Sequence, residues 1–344
     1  MIPFVKPLEP NVPLFTQYFS KSIKQNHYTN FGPCHNELKQ RFSELTGISD
    51  IVLTCNATVA LDGLHHILAR RCGIVYLPSF TFPATNQGAQ TSIIHGSTIS
   101  GGTDIGRTAW KCNEYVGSYA VTVNPFGSLN PVCKKPLKAF YWIVDNAAGL
   151  LSQANDWLDA GADAVVYSLH ATKILSACEG GVVFFNNSTL YNEYCEYINF
   201  GFVPQPDGSR TVNGIGSNHK MSELSAAYCL MSLDSLENEI EKRSIIAEQY
   251  RSICIQYAIP YIPSLQAFWM LGKETAAIIR RFALVHGVDI RPYYQKLPFD
   301  NSGCDVTTLF TTKGFCLPVR STLTASELTQ IYEMLHKAKS LDLI

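Results

Sequence analysis

The sequence is poor in charge. Only 16% of the 344 residues are charged, whereas about a quarter is usual in soluble proteins. We therefore expect part of the surface to be buried against another subunit. The 27 Lys and Arg residues nearly balance the 28 Asp and Glu residues, giving a net charge of −1. The chain thus lacks the basic excess that nucleic-acid binding requires.

Several motifs are also missing. The eleven cysteines form no CxxC pair and no Cys/His metal spacing, which predicts reduced thiols, no bound metal and a cytoplasmic protein. No apolar run approaches the roughly 18 residues of a membrane span, and the N-terminus lacks a signal-peptide core, so no membrane partner is expected. Neither a Gly-rich P-loop nor a GxGxxG motif is present, which argues against an ATP-binding or dinucleotide-binding protein.

The first two thirds of the chain alternate helical and strand-like patterns. Apolar spacing predicts helices at residues 13–24, 35–47 and 57–71. Strand-like runs recur at residues 50–54, 73–77, 92–95, 119–123, 141–144, 164–168 and 181–185. Strands that alternate with helices predict a mostly parallel sheet covered on both faces, with ligands at the carboxyl ends of the strands.

Composition shifts near residue 233. Beyond it the pattern predicts a long helix at 233–257, a helix at 273–286, a strand at 288–292 and a last helix at 324–339, opened by a capping box. We expect two domains. Residues 1–239 would form an N-terminal arm and a large α/β domain, and residues 240–344 a smaller α+β domain.

The polar loop between the last two strand-like runs is the most informative segment. It carries one lysine, Lys173, with Ser168, His170 and Thr172 close by in sequence. A flexible stem and an adjustable pKa suit lysine to Schiff-base chemistry. A lone lysine in such a loop would usually reach solvent, so this hypothesis depends on its neighbours.

Asp145 is one such neighbour, because it ends the strand-like run at 141–144. A buried carboxylate needs a cationic partner. The protonated pyridine nitrogen of pyridoxal phosphate (PLP) would be one. Taken alone, Asp145 is equally well explained as a turn or capping residue.

Two further segments extend the pattern. At Asn56-Ala57-Thr58 a strand leads through small residues into a helix, whose first N–H groups and Thr58 hydroxyl form a phosphate site. An ordinary helix cap is the alternative. Phe82 follows another strand and can cover the face of a flat heteroaromatic ring, although a core position is commoner for phenylalanine.

Together these segments resemble the DegT/DnrJ/StrS family of PLP-dependent sugar aminotransferases. The resemblance rests on N-A-T-V-A-L at 56–61, P-S-F-T-F at 78–82, S-L-H-A-T-K at 168–173 and G-S-N-H-K-M-S-E at 216–223. It runs from Pro3 to about Leu335. It implies fold type I aminotransferase architecture, an α/β fold with a mostly parallel mixed sheet, and a homodimer with active sites at the subunit interface.

The resemblance also implies residue roles. Lys173 matches the lysine that binds PLP covalently, and Asp145 matches the partner of the pyridine nitrogen. The other implied cofactor contacts are Phe82 on the ring, then Ala57, Thr58 and Ser168 at the phosphate and Asn218 reaching the neighbouring subunit's phosphate. The implied substrate contacts are Phe31, Gly32, His170, Arg291 and Tyr293.

Three departures from the family pattern stand out. Ala148 occupies a position where the family commonly has Gln or His. The segment Asn-Pro-Phe-Gly at 124–127 replaces a common H-x-x-G pattern, and residues 258–290 form a shorter region than the family norm. These departures predict altered contacts beside the cofactor ring and weaken any transfer of substrate identity.

The implied activity is ping-pong transamination, with PLP alternating with its amine form, PMP. L-glutamate would supply the amino group. The acceptor would be a nucleotide-linked 4-keto-6-deoxyhexose or its 3-keto isomer, with dTDP ahead of GDP and UDP, for O-antigen or other glycan synthesis. The alternatives are a PLP- or PMP-dependent sugar dehydratase of the same family and a non-catalytic regulatory or scaffold homologue. Lys173 favours transamination, since deoxygenating members without the lysine carry histidine there.

Overall fold

The computed structural model describes residues 1–72, 74–89, 92–94, 118–131, 134–135, 139–297 and 304–344. Within these residues, seven strands form a central sheet in the order β1 (Ile51–Thr54), β7 (Gly181–Phe185), β6 (Ala164–Ser168), β5 (Tyr141–Asp145), β4 (Ser118–Val123), β2 (Ile74–Leu77) and β3 (Ser92–Ile94). Neighbours from β6 to β3 pair in parallel, whereas β7 is antiparallel to both β1 and β6. The mostly parallel mixed sheet predicted from the sequence is confirmed.

Helices cover both faces of this sheet. One apolar cluster joins the sheet to α2 (Pro33–Thr46), α5 (Ala154–Asp159) and α7 (Glu223–Leu233), with α1 (Val12–Gln25) outside them. A second cluster joins the opposite face to α3 (Ala57–Ala69) and α6 (Ser188–Tyr197). Because both faces are covered, strand residues are apolar without alternation, as Val165 and Val166 of β6 show by their full burial.

The C-terminal part has its own sheet and core. Its elements are α8 (Leu236–Tyr257), β10 (Tyr261–Ile262), β11 (Ala267–Leu271), α9 (Ala276–Val285), α10 (Asp305–Lys313), β12 (Gly314–Pro318) and α11 (Ala325–Ser340). The three strands are antiparallel, and residues such as Phe268 and Leu335 share a separate apolar cluster. We propose on this basis that the chain divides into units of residues 1–239 and 240–344, with the boundary inside α8.

Most predicted elements are present within a few residues of their expected ends, and the capping box of Thr324 and Glu327 is formed. The predicted strand at 288–292 is wrong. Its residues make only isolated bridges, one of them from Arg291 to Cys316 of β12, because Pro292 has no N–H to continue a ladder. The helix predicted from residue 233 begins at Leu236, since residue 233 ends α7.

The remaining elements are short. They are α4 (Ala84–Gln87), a hairpin of β8 (Phe202–Pro204) and β9 (Arg210–Val212), and two 3-10 helices at Pro125–Gly127 and Leu151–Gln153. Residues 73 and 95, at the ends of two predicted strands, lie outside the described residues. Among those described, no helix combines the length and apolar character needed to cross a membrane.

Candidate active site

A cavity of about 550 Å³ lies at the carboxyl ends of β4, β5 and β6, where parallel sheets usually bind ligands. Its volume is within the usual range for small-molecule sites. Eight of the twelve residues that the sequence predicts for the site line it: Ala57, Thr58, Phe82, Asp145, Ser168, His170, Lys173 and Tyr293.

Asp145 ends β5 and is 4% exposed. Its Oδ2 accepts a 2.6 Å hydrogen bond from Thr85 Oγ1, and its Oδ1 accepts one of 3.0 Å from the Ala147 backbone N–H. Burial raises the pKa of Asp145, while these two hydrogen bonds and the charge of Lys173 act in the opposite direction. The site therefore combines a buried carboxylate with two fixed hydrogen-bond donors and the nearby amine of Lys173.

Lys173 follows β6 in a loop held by backbone contacts. Its own N–H donates to His170 O at 2.8 Å, and Gln266 Nε2 donates to Thr172 O at 2.7 Å. Burial lowers the pKa of the Lys173 amine, and Asp145 partly opposes this effect. Within the described part of the chain, the amine has no hydrogen-bond or ion-pair partner. A lowered pKa favours the neutral, nucleophilic amine.

The turn from β1 into α3 also lines the cavity. Asn56 caps the helix by accepting a 3.0 Å hydrogen bond from the Val59 N–H. The N–H groups of Ala57 and Thr58 precede the first helical hydrogen bonds, and both residues line the cavity. Gly181 of β7 packs closely on this turn, since a Cβ there would lie 2.8 Å from the Ala57 nitrogen.

Two side chains beside the lysine loop have defined orientations. The Phe82 side chain lines the cavity and is 57% exposed, so its ring is not part of the core. His170 accepts from the Thr172 N–H at its Nδ1 (3.3 Å), which leaves the proton on Nε2, 3.5 Å from Glu179. His170 N in turn donates to Ser168 Oγ at 3.3 Å.

An aromatic wall closes one side of the cavity. Phe126 stacks on Tyr294 with ring centroids 4.5 Å apart, and its N–H donates to the Tyr294 hydroxyl at 3.2 Å. Tyr293 meets Phe4 edge to face at 5.8 Å. Both tyrosines, Phe4 and Phe126 line the cavity, as does Ala148. Two of these cavity residues, Phe126 and Ala148, belong to the departures from the family pattern, whereas Phe4 and the two tyrosines do not.

Sequence reasoning missed several of these residues. Phe4 reaches the site because Ile2 bridges to Val288, and no local pattern signals that contact. Thr85 lies three residues beyond Phe82, in a polar segment that could have drawn attention to its hydroxyl.

Four residues predicted for the site lie elsewhere in this chain. Arg291 donates to Asp289 at 2.9 Å, and Asn218 forms a bridge with Asn199. Phe31 meets His35 edge to face, and Gly32 packs against the Glu223 carboxylate. Their roles stay predictions.

Comparison with known proteins gives consistent matches. The sequence model of the DegT/DnrJ/EryC1/StrS aminotransferase family matches residues 12–95 and 126–262. Protein MT3510 of Mycobacterium tuberculosis is 28% identical over 273 residues, which cover 73% of this chain and 64% of that protein. This chain thus spans less than two thirds of that relative's length.

Two other proteins match over nearly their whole length. The dTDP-4-amino-4,6-dideoxy-D-glucose transaminase of Shigella dysenteriae is 25% identical over 369 residues, covering 96% of this chain and 98% of that enzyme. The Spr1654 protein of Streptococcus pneumoniae, solved in a PLP form, covers 100% of both chains with 18% identity and a TM-score of 0.80. The latter match shows a shared fold.

Proposed function

This chain belongs to the DegT/DnrJ/EryC1/StrS aminotransferase family, and we propose that it uses PLP to transfer an amino group to a nucleotide-linked keto sugar. The observation that carries this proposal is the presence of Lys173 and Asp145 in one cavity, at the ends of neighbouring strands.

The residues of the cavity fit this cofactor. When bound, PLP supplies an electron sink conjugated to the amine that is transferred. The first N–H groups of α3 and the Thr58 and Ser168 hydroxyls suit a phosphate group. The buried carboxylate of Asp145 suits a protonated ring nitrogen, and the accessible Phe82 ring suits a flat heterocycle.

We assign Lys173 two tasks. Its amine, whose pKa burial lowers, is suited to hold the cofactor covalently. Once the amino donor has displaced it, the Nζ atom takes up and returns the proton that transamination moves. The His170 N–H, Ser168 hydroxyl and Gln266 contacts keep the loop that carries this lysine in place.

The proposed amino donor is L-glutamate, and the proposed acceptor is a 4-keto-6-deoxyhexose on a nucleoside diphosphate. The name of the Shigella dysenteriae relative, which denotes a dTDP-linked 4-amino-4,6-dideoxy sugar, supports dTDP. The aromatic wall formed by Phe4, Phe126 and Tyr294 supports a deoxy sugar, because apolar surface favours a methyl group over a hydroxymethyl group. The product would serve O-antigen or other glycan synthesis.

We also propose a homodimer. Large apolar side chains beside the β8–β9 hairpin are exposed in the single chain, with Phe200 at 46%, Val212 at 65% and Ile215 at 65%. Such surface favours burial against a partner. The hairpin adjoins Asn218, which the family resemblance assigns to the neighbouring subunit's cofactor.

The test uses purified protein incubated with PLP. We expect a visible absorption band, covalent attachment to Lys173 after borohydride reduction, and loss of the band when L-glutamate is added. The PMP-loaded protein should then regain the band with a dTDP-linked 4-keto-6-deoxyhexose but not with the free sugar. A label on another lysine would contradict the site, and a failure of every nucleotide-linked keto sugar would contradict the substrate class.

A further inference from the structure

We propose that Thr85 is a positioning residue that orients Asp145 towards the cofactor ring, and that Thr81 and His65 hold Thr85 in this role. The inference rests on the proposed function, because it concerns the carboxylate assigned to the ring nitrogen. It adds a buried hydroxyl chain and a histidine behind the cofactor site.

The hydrogen bonds between the side chains of Thr81, Thr85 and Asp145 can run in only one direction. Thr85 and Thr81 are both fully buried. The single hydroxyl proton of Thr85 goes to Asp145 Oδ2 at 2.6 Å, so Thr85 Oγ1 must act as acceptor towards Thr81 Oγ1, also at 2.6 Å. Thr81 therefore donates to Thr85, and Thr85 donates to Asp145.

The hydrogen bonds that reach the backbone carbonyl of Thr85 also have defined donors and acceptors. His65 Nε2 lies 2.9 Å from Thr85 O, and a carbonyl oxygen can only accept, so Nε2 carries the proton. His65 Nδ1 is then an acceptor and receives the hydroxyl proton of Tyr119 at 2.8 Å. His65 and Tyr119 are 1% and 2% exposed. Thr85 is thus fixed both at its carbonyl and at its hydroxyl.

The consequence for Asp145 is a fixed carboxylate plane. One oxygen accepts a hydrogen bond from the Thr85 hydroxyl, and the other accepts one from the Ala147 N–H. A carboxylate has about four acceptor positions, so positions remain for a ring N–H. Without the hydrogen bond from Thr85, the proton affinity of the Asp145 carboxylate would rise. The proton shared with the ring nitrogen would then lie nearer the carboxylate, and the protonated ring would be less stable.

The variants are Thr85→Val, which keeps the shape of the side chain but removes its donor, and Thr85→Ser, which keeps the donor. The readout is the pH midpoint of the visible absorbance change of the bound cofactor. This midpoint reports the protonation of the nitrogen through which the cofactor is attached to Lys173. When the ring nitrogen loses its proton, the pKa of that attached nitrogen rises. We expect Thr85→Val to raise the midpoint by about one pH unit and to lower turnover about tenfold or more, and Thr85→Ser to restore both.

Thr122→Val is the matched control. Thr122 is also buried and bonded, accepting from Trp142 Nε1 at 2.9 Å, but it does not contact Asp145. An unchanged midpoint in Thr85→Val, or an equal shift in Thr122→Val, would overturn the inference.

Thr81→Val decides the matter if Thr85→Val does not fold. It leaves the Thr85–Asp145 contact in place and should shift the midpoint in the same direction by a smaller amount, so no shift would overturn the inference. A wild-type protein that forms no visible band with PLP would contradict the proposed function instead.

Discussion

The carboxylate of Glu223 accepts a 2.7 Å hydrogen bond from the backbone N–H of Cys34, so the first residue of α7 caps the first turn of α2. It also accepts from the His35 N–H at 2.9 Å and from the Ser22 hydroxyl of α1 at 2.7 Å. Gly32 is needed beside it, because a Cβ there would lie 2.6 Å from the carboxylate carbon. One buried charge, 1% exposed as a residue, therefore joins three helices.

Replacing this carboxylate should destabilise the large domain. In Glu223→Ala the Cys34 and His35 N–H groups and the Ser22 hydroxyl lose their acceptor, and we expect the free energy of unfolding to fall by about 3 kcal/mol. Urea unfolding followed by circular dichroism measures it. Glu237→Ala is the control, since Glu237 is also in a first helical turn but is exposed. Equal losses in the two variants would contradict the capping role.

His35 makes the same region sensitive to acid. Burial lowers the pKa of His35 to about 4, with Glu223 and Lys39 as the charges near it. The unfolded chain therefore binds a proton below pH 6.5 that the folded chain resists. Stability is fully present above that pH and falls as the pH drops from 6.5 towards 4, by about 3 kcal/mol for this group.

The measurement is the difference in unfolding free energy between wild type and His35→Gln across this pH range. We expect the wild type to lose more stability than the variant as the pH falls. Parallel pH profiles for the two proteins would show that His35 does not carry the effect.

Asp145→Asn should keep the cofactor bound but slow its chemistry. The amide is nearly the same size and can still accept from Thr85, yet it supplies no negative charge to the ring nitrogen. We expect turnover to fall about 100-fold or more, while Ala57, Thr58 and Ser168 still retain PLP. Cofactor content and single-turnover rates separate the two effects. Near wild-type turnover would refute the proposed role of Asp145.

Asn218 provides a test of assembly. Ser222, and not Asn218, caps α7, so a helix-capping role does not explain Asn218. We mix Lys173→Ala chains with Asn218→Asp chains, whose added charge opposes phosphate binding. Random pairing makes half of the dimers mixed, each with one intact site of two, so we expect recovery to about a quarter of wild-type activity. Inactive mixtures despite proven subunit exchange would mean that both residues serve the same subunit's site.

The sequence predicts the centre of the site better than its walls. Asp145 and Ser168 end their strands, and Ala57, Thr58 and Lys173 lie a few residues beyond strand ends, so the strand pattern places all five at one edge of the sheet. The aromatic wall depends on Phe126 meeting Tyr294, which is 168 residues away. No periodicity encodes such a contact, because it arises from packing between the two parts of the chain.

The fold has a similar division. Strand positions follow from apolar runs, but the antiparallel direction of β7 needs a second argument. The connection from β6 to β7 carries Lys173 and contains no helix, and a parallel return would need a crossover of a dozen or more residues, usually helical. The pairing of β7 with β1 could not be predicted, since nothing local to Ile51–Thr54 specifies it.

The pairing of β1 with β7 also has a consequence for how the chain folds during its synthesis. In the described structure β1 is an edge strand whose partner in the sheet is β7. The ribosome makes the turn at Asn56–Thr58 early, but the register that holds β1 requires the chain as far as Phe185. A nascent chain shorter than that has no neighbour for β1 and no Gly181 against the turn. We therefore expect cofactor binding at this turn to follow the synthesis of the first half of the protein and not to guide it.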